Sequence, residues 1–210
     1  MSWAIASMLI AVTAVTGKTA EVTSLASPAA IAVVSESVLW SFGATSDDGQ
    51  NPGGALIADK KGNLYGTTEI GGANSCFGGS FCGTVFELSP PTGEQTQWTE
   101  SVLWNFGATS VDGNYPIGAL IADKHGNLYG TTSGGGTNCL PYGCGTVFEL
   151  SPPPGKQTQW SESILWNFGA TSDDGNTPFG GLIFERGNYY GTTVGGGVAG
   201  AGTVFELTLP

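Results

Sequence analysis

The sequence has little positive charge. It contains 6 Lys and Arg residues against 17 Asp and Glu residues, which gives a formal net charge of −11 and a pI near 4.1. A phosphate backbone is bound by clustered Lys and Arg side chains, and in this sequence the few that exist are scattered. We therefore expect no nucleic-acid partner.

Histidine is almost absent. The single histidine, His125, lies in the stretch DKHGN, at the place that Lys61 takes in DKKGN. No GxSxG motif is present, and an exposed turn is the expected position of His125, so a Ser-His-Asp triad is not supported. Carboxylate pairs could serve a glycosidase, but Glu87, Glu149 and Glu206 recur at one place in each copy of a repeat. Because repeated residues usually serve the fold, we expect a protein that is not an enzyme, with a glycoside-active enzyme as the weaker alternative.

The sequence also lacks an apolar run long enough to span a bilayer. The run at residues 3–15 is shorter than the roughly 20 residues that a spanning helix needs. It is similar to the apolar core of a secretory signal peptide, although no Lys or Arg precedes it, and small residues suited to cleavage follow at 24–26. We expect residues 1–30 to be a signal-peptide-like or disordered segment, and the protein to be secreted, extracellular or at the cell surface, without a membrane span.

What is abundant favours strands over helices. Gly accounts for 35 residues and charged residues for only 11%, while Phe, Trp, Tyr, Val and Thr recur at short spacing. Such segments, separated by Gly and Pro, are typical of an all-β protein.

The sequence contains three copies of one repeat. Trp40, Trp104 and Trp166 lie 64 and then 62 residues apart, each within a copy of the motif ES[VI]LW[SN]FGATS[DV]DG. The motif GTVFEL begins at residues 83, 145 and 202. Recurrence at this period indicates a repeat architecture in which each copy has the same structural role.

Each copy predicts four short antiparallel strands. In the first copy they are residues 54–59, 63–68, 84–88 and 96–106, with a tight turn at DKKGN between the first two. Apolar residues on both faces of the fourth strand predict a sheet that is covered on both sides, as in a propeller blade. The sequence thus predicts a single repeat domain over residues 35–208, with blades at 54–106, 118–168 and 181–207.

The third copy lacks a fourth strand, whereas an extra copy of that strand stands at residues 35–42. We therefore expect the N-terminal strand to complete the last blade beside residues 203–207. Three blades are fewer than the four to eight of ordinary propellers. A homodimer that forms a six-bladed ring would resolve this, and a β-trefoil-like fold, an open arc or a fragment of a larger propeller are the alternatives.

The combined motif GNLYGTT, GTVFEL and VLWNF resembles the bacterial tandem-repeat family called GloVer, or choice-of-anchor tandem repeat. The resemblance covers nearly all of the chain after about residue 36. It implies an exported or surface-attached repeat protein of no established activity, and it carries over no functional residues.

Ligand binding is expected on one edge of the sheets. The predicted strand order places the long loops of every copy on the same edge, and long loops on a rigid scaffold commonly carry binding sites. Aromatic residues that differ between copies lie in these loops: Phe77, Phe81, Tyr115 and Tyr142. We expect a binding or adhesion module for a glycan or a protein, or else a purely structural, assembling repeat.

Two further residue sets in the long loops have alternative interpretations. Asp48, Asp112 and Asp174 recur in S[DV]DG and could hold calcium, but Asp-Gly is also ordinary turn chemistry. The first copy contains Cys76 and Cys82, and the second contains Cys139 and Cys144. In the third copy both members of the pair are missing together. Loss in pairs favours two local disulfides, Cys76 with Cys82 and Cys139 with Cys144, over the alternatives of a zinc site or free thiols.

Overall fold

A computed structural model describes residues 34–45, 47–76, 82–109 and 111–209. The chain divides into two parts, Met1–Ser37 and Val38–Pro210, and the strands lie in the second part. The signal-peptide-like segment predicted at residues 1–30 lies outside the described residues. We call residues 43–106 repeat 1, residues 107–168 repeat 2 and residues 169–208 repeat 3.

The described residues form strands and no helix, which confirms the all-β prediction. Repeat 1 contains β1 (Gly49–Pro52), β2 (Ile57–Ala58), β3 (Leu64–Gly71), β4 (Thr84–Ser89) and β5 (Thr99–Asn105). Repeat 2 contains β6 (Gly113–Asn114), β7 (Ile121–Ala122), β8 (Leu128–Thr132), β9 (Gly134–Gly135), β10 (Thr146–Ser151) and β11 (Ser161–Asn167). Repeat 3 contains β12 (Gly175–Asn176), β13 (Ile183–Glu185), β14 (Asn188–Thr193), β15 (Gly195–Gly196) and β16 (Thr203–Thr208).

Successive strands of each repeat pair in an antiparallel order. The order is β2-β3-β4-β5 in repeat 1, β7-β8-β10-β11 in repeat 2 and β13-β14-β16 in repeat 3. The four predicted strands are therefore present in repeats 1 and 2, and three are present in repeat 3. The first predicted strand of each repeat, which is β2, β7 or β13, is shorter than its sequence predicts.

The middle strands β4 and β10 are buried on both faces. Neighbouring residues of β4, Val85 and Phe86, point to opposite faces, and both are almost fully buried. The turn between β2 and β3 is closed by Asp59, whose Oδ1 accepts hydrogen bonds from the backbone N–H of Lys61 at 2.8 Å and Asn63 at 3.0 Å. Burial raises the pKa of Asp59, but these hydrogen bonds outweigh it and hold the pKa below its ordinary value.

Consecutive repeats share apolar cores. The ring of Phe106, which directly follows β5, packs edge-on against Phe148 of repeat 2 with centroids 5.1 Å apart. The ring of Phe168 makes the same contact with Phe205 of repeat 3 at 5.0 Å. These aromatic pairs join the outer strand of one repeat to the middle of the next sheet.

Glycines allow the segments that precede β2, β7 and β13 in neighbouring repeats to approach closely. A Cβ added at Gly54 would lie 2.8 Å from the carbonyl oxygen of Gly118, and one at Gly118 would lie 2.6 Å from that of Gly180. At these contacts Thr67 Oγ1 donates to the Gly118 carbonyl at 3.3 Å, and Thr131 Oγ1 donates to the Gly180 carbonyl at 3.0 Å. One hydrogen bond thus recurs at each contact between repeats.

The N-terminal segment does not occupy its predicted place. Residues 34–42 form no strand. Among the described residues, β16 pairs with β14 alone. The ring of Phe42 instead packs against Phe86 of repeat 1, with centroids 4.8 Å apart. This contact matches that of Phe106 with Phe148, so the end of the segment lies before repeat 1 rather than beside residues 203–207.

Candidate functional site

The long loops of each repeat are tied together by short strands that the sequence does not predict. Gly49 pairs with Gly71 between β1 and β3, Gly113 with Gly135 between β6 and β9, and Gly175 with Gly196 between β12 and β15. The loop that enters a repeat therefore lies against the end of β3 in repeat 1, and against the loops that follow β8 in repeat 2 and β14 in repeat 3. Glycine-to-glycine pairing has no side-chain pattern, which is why the sequence shows these segments only as loops.

The cysteines form the two predicted local disulfides. Cys76 is bonded to Cys82 and Cys139 to Cys144, with Cα–Cα distances of 5.3 and 5.4 Å. All four cysteines are thereby bonded, which leaves no thiol for a zinc site. Each disulfide links two positions of one long loop, in repeat 1 or in repeat 2.

Each disulfide packs against the turn that leaves the outer strand. A Cβ added at Gly107 would overlap the Cys82 Sγ, and one at Gly169 would overlap the Cys139 Sγ. Both glycines have a positive φ, of 81° and 79°, which glycine adopts readily. The disulfides therefore connect the long loop of one repeat to the entry of the next.

A cleft lies where the disulfide-clipped loop of repeat 1 meets the loops of repeat 2. Its volume is about 420 Å³. It is lined by Ser75, Cys76, Gly107, Ala108, Thr109, Asp112, Asn114, Gly135, Pro141 and Tyr142. We call it the loop cleft. It combines backbone groups with one carboxyl, one amide and one aromatic side chain.

The Asp112 carboxyl group and the Asn114 amide oxygen of the loop cleft are buried, whereas Tyr142 is largely open to solvent. Asp112 is only 6% exposed, and its Oδ2 accepts the N–H of Ala108 at 3.0 Å. The Oδ1 atom of Asn114 is buried and has no hydrogen-bond partner among the residues that the structure describes. Tyr142 is 70% exposed and lies at the mouth of the cleft.

A second carboxyl group lies beside Asp112. Burial raises the pKa of Asp112, and burial together with the neighbouring Asp112 charge raises the pKa of Glu162. The equivalent pair in repeat 1 is Asp48 with Glu100, where burial and then the Asp48 charge raise the pKa of Glu100 to about 7. Each pair holds a proton more tightly than isolated carboxyl groups do.

A comparison with known families identifies the repeat. The family model described as Gloeobacter/Verrucomicrobia repeat matches residues 29–205. The chain belongs to this family. The resemblance to a bacterial tandem-repeat family is thereby confirmed. No curated protein matches the chain.

Other grooves of this Gloeobacter/Verrucomicrobia repeat protein follow the seams between repeats. One, of about 630 Å³, lies between the β2–β3 and β7–β8 turns. Another, of about 750 Å³, lies between the β7–β8 turn and repeat 3. Because equivalent residues such as Asp59 and Asp123 recur at such seams, these grooves follow from the packing of repeats. The loop cleft differs because Tyr142 and Pro141 come from a loop that varies among the copies.

The recurring Asp residues of the Gloeobacter/Verrucomicrobia repeat close turns. The Oδ2 atom accepts backbone N–H groups from Gly43 and Ala44 in the case of Asp48, and from Ala170 in the case of Asp174. The three Asp residues lie in separate loops, and no group of three or more potential metal-ligating side chains occurs within the described ranges. Calcium binding at these residues stays a prediction.

The other aromatic candidates are Phe77, Phe81 and Tyr115. Phe77 and Phe81 lie outside the described residues, and Tyr115 is not among the lining residues. The backbone N–H of Tyr115 donates to the Cys82 carbonyl at 2.9 Å, and its carbonyl accepts the N–H of Ser133 at 3.1 Å. Tyr115 therefore links two loops through its backbone.

Sequence reasoning missed two polar residues of this region of the Gloeobacter/Verrucomicrobia repeat. Asn114 follows the short strand residue Gly113, and Glu162 begins the motif ESILW. The signal for Glu162 was its recurrence as Glu100 in step with the recurring Asp. Nothing in the sequence shows that Asn114 and Tyr142 meet, because 28 residues separate them.

In the part of the chain that the structure describes, no segment forms an apolar helix of membrane-spanning length.

Proposed function

We propose that this chain is an exported, non-enzymatic repeat protein that binds a glycan, or a polar segment of another protein, in the loop cleft. One observation carries the proposal: the cleft brings Asp112, Asn114 and Tyr142 together. A sugar presents hydroxyl groups to carboxyl and amide side chains, and its C–H face packs on an aromatic ring. Such a mixture of an aromatic surface and a few convergent polar groups is typical of small-ligand sites.

The surroundings of the cleft favour a preorganised site. The Cys76–Cys82 disulfide holds the loop on one side, and the Cys139–Cys144 disulfide holds the loop that carries Tyr142. The Tyr142 carbonyl accepts the N–H of Gly135 at 2.9 Å, which fixes the backbone at the aromatic residue. Because ordering a loop on binding costs free energy, loops that are already fixed favour affinity.

Export is proposed on two grounds. Two short-range disulfides are typical of proteins that fold in an oxidising compartment. The apolar run at residues 3–15 is similar to a signal-peptide core. Together they favour a secreted, extracellular or cell-surface protein.

The proposal that the protein is not an enzyme rests on the recurrence of its carboxyl pairs. Asp112 with Glu162 repeats as Asp48 with Glu100, so the pair belongs to the repeat rather than to the loop cleft alone. His125 lies in an exposed turn, where its backbone N–H donates to Asp123 Oδ1 at 2.8 Å. These positions fit a structural role for the groups that could otherwise carry out acid–base chemistry.

A glycan array tests the binding proposal. We expect the wild-type protein to bind a subset of immobilised glycans, and the Tyr142→Ala and Asn114→Ala variants to lose that binding. Asn176→Ala is the matched control, because Asn176 holds the position of Asn114 in repeat 3, where the following loop has no tyrosine. Binding that survives both cleft substitutions would contradict the proposal.

A second function, assembly, is favoured by the two end faces of the chain. Val204 is 81% exposed, whereas the equivalent Val85 and Val147 are fully buried under the next repeat. Leu56 is 49% exposed, whereas the equivalent Leu120 is 1% exposed because it packs against the preceding repeat. We propose that the sheets are arranged like propeller blades and that two copies join through these faces as a six-bladed homodimer.

Substitution of the exposed valine tests the assembly. The Val204→Asp variant places a charge on the proposed contact face without disturbing a buried site, so the chain should stay folded but become monomeric. Val198→Asp is the control, because Val198 is exposed in the loop of repeat 3 rather than on a strand. A variant Val204→Asp that assembles as the wild type does would contradict the proposal.

A further inference from the structure

The outer edge of repeat 3 has free strand-pairing groups. β4 is covered by β5, and β10 is covered by β11, but β16 has only β14 beside it among the described residues. An uncovered strand edge presents unpaired N–H and C=O groups that can pair with another chain. The edge of β16 is therefore a docking position for one additional strand.

The adjacent face of repeat 3 carries, at Thr192, the donor of a hydrogen bond that recurs between repeats. Thr67 and Thr131 donate to the carbonyl of a glycine in the next repeat. The equivalent Thr192 is exposed, and so is much of the first strand of its sheet, including Ile183. The glycine of repeat 1 that is equivalent to these acceptors is Gly54, and no described repeat covers its carbonyl group.

The segment before repeat 1 has the sequence of the missing strand. Residues 36–42 read ESVLWSF, and the strands that cover β4 and β10 lie in ESVLWNF and ESILWNF. In the structure Val38 and Leu39 are exposed, so this segment has apolar side chains without a covering sheet.

The end of that segment already lies where an outer strand would leave a preceding repeat. Phe42 packs on Phe86 as Phe106 packs on Phe148. The N–H of Ala44 donates to Asp48 Oδ2 at 3.0 Å, as the N–H of Ala108 donates to Asp112 Oδ2 at the same distance. A second copy whose repeat 3 docks in front of repeat 1 would meet this segment in place.

We propose that residues 35–42 of one copy add to the edge of β16 in a second copy and complete its third sheet. The occupant is a second copy of this chain because residues 36–42 match the sequence of the missing strand, while Phe42 at their end packs on Phe86 in repeat 1 of its own chain. The inference rests on the proposed assembly of two copies and names the segment that joins them. It is an antiparallel addition of one strand to a sheet edge.

The pairing of the other two repeats fixes the register of the added strand. Ser89 pairs with Thr99, and Ser151 pairs with Ser161. By the same register, Thr208 of one copy faces Ser35 of the second copy. Further along the strand, Glu36 of the second copy would lie near Asp174, as Glu100 lies near Asp48.

Disulfide trapping between two variants tests this register. Ser35→Cys and Thr208→Cys are prepared as separate full-length variants, each with one added thiol, since all four native cysteines are bonded. Directly opposed residues of antiparallel strands have Cα atoms about 4.5–5.5 Å apart, which a disulfide can bridge. After the two variants are mixed and mildly oxidised, we expect a covalent product of two chains on a non-reducing gel.

A mispaired mixture is the control. Ser41→Cys mixed with Thr208→Cys places the thiols at opposite ends of the proposed strand, so little covalent product is expected. A protein that is dimeric in solution but gives equal product in both mixtures would overturn the strand addition and leave the assembly proposal standing. A protein that is monomeric and gives no covalent product would overturn both.

Discussion

Gly107 lies directly against Cys82, so that a methyl group at Gly107 would overlap the Cys82 Sγ. Gly107 also has a φ of +81°, which a residue with a side chain rarely adopts. The disulfide of repeat 1 thus depends on a glycine in the turn that leads into repeat 2. The same relationship holds for Gly169 and the disulfide of repeat 2.

Substitution of this glycine should destabilise the fold strongly. For Gly107→Ala we expect a loss of about 3 kcal/mol or more in the free energy of unfolding, because the positive φ and the overlap with the disulfide both cost free energy. Gly43→Ala is the control, since Gly43 has a φ of +85° but only Gln50 Cγ, at 3.7 Å, near its added Cβ. The control should lose about 1–2 kcal/mol, and equal losses in denaturant unfolding would contradict the role of the disulfide contact.

Stability should fall as pH rises from about 4.5 to 7. Burial raises the pKa of Glu100 from 4.5 in the unfolded chain to about 7 in the fold. The folded protein therefore holds a proton in this range that the unfolded chain releases, so the stabilisation is complete below about pH 4.5 and is lost through pH 7. Denaturant unfolding at pH 4.5 and pH 8 measures the effect.

The Glu100→Gln variant should remove part of this pH dependence. At pH 8 the uncharged side chain avoids the cost of a buried charge, so the variant should be more stable than the wild type by on the order of 1 kcal/mol. Glu94→Gln, at an exposed position, is the control and should leave the pH dependence unchanged. A wild-type slope in Glu100→Gln would contradict this explanation.

Relief of a strained backbone should stabilise repeat 3. Thr177 has a φ of +56°, and the equivalent residue of repeat 1, Asn51, has a φ of +57°. Asn tolerates this conformation better than the β-branched Thr, so Thr177→Asn should stabilise the protein by about 1 kcal/mol. Thr158→Asn, in an exposed loop without positive φ, should change stability by less than about 0.5 kcal/mol in the same thermal unfolding experiment.

The contribution of one hydrogen bond between repeats to stability can be measured by comparing Thr131 with Thr192, the equivalent exposed threonine of repeat 3. Thr131→Val removes the donor to the Gly180 carbonyl and should cost about 1–2 kcal/mol in the free energy of unfolding. Thr192→Val changes the equivalent but exposed residue, so its effect on unfolding of a single chain should be within about 0.5 kcal/mol. A comparable loss in both variants would contradict the assignment of the bond to the contact between repeats.

Much of the fold could be predicted from the sequence, because it follows from local patterns. The alternation of apolar residues in TVFEL indicates β4 and β10, and Gly62 with Asp59 indicates the turn between β2 and β3. The paired occurrence of Cys139 and Cys144 also predicts a bond that the structure shows. These features need only the residues of one repeat.

The remaining features depend on contacts between distant segments. β1 was not predictable because its pairing joins Gly49 to Gly71 without a side-chain pattern. The meeting of Asn114 with Tyr142 depends on how two loops approach one another in space. The position of Phe42 on Phe86 was missed because strand counting alone cannot decide between the two ends of a repeat array.

The mass of the full chain in solution tests most directly whether the exposed faces at Leu56 and Val204 are two halves of one interface. Light scattering during size-exclusion chromatography gives this mass independently of shape. The two-copy assembly predicts a particle of twice the 21.4 kDa chain mass that persists on dilution. A particle of 21.4 kDa at every concentration would contradict it.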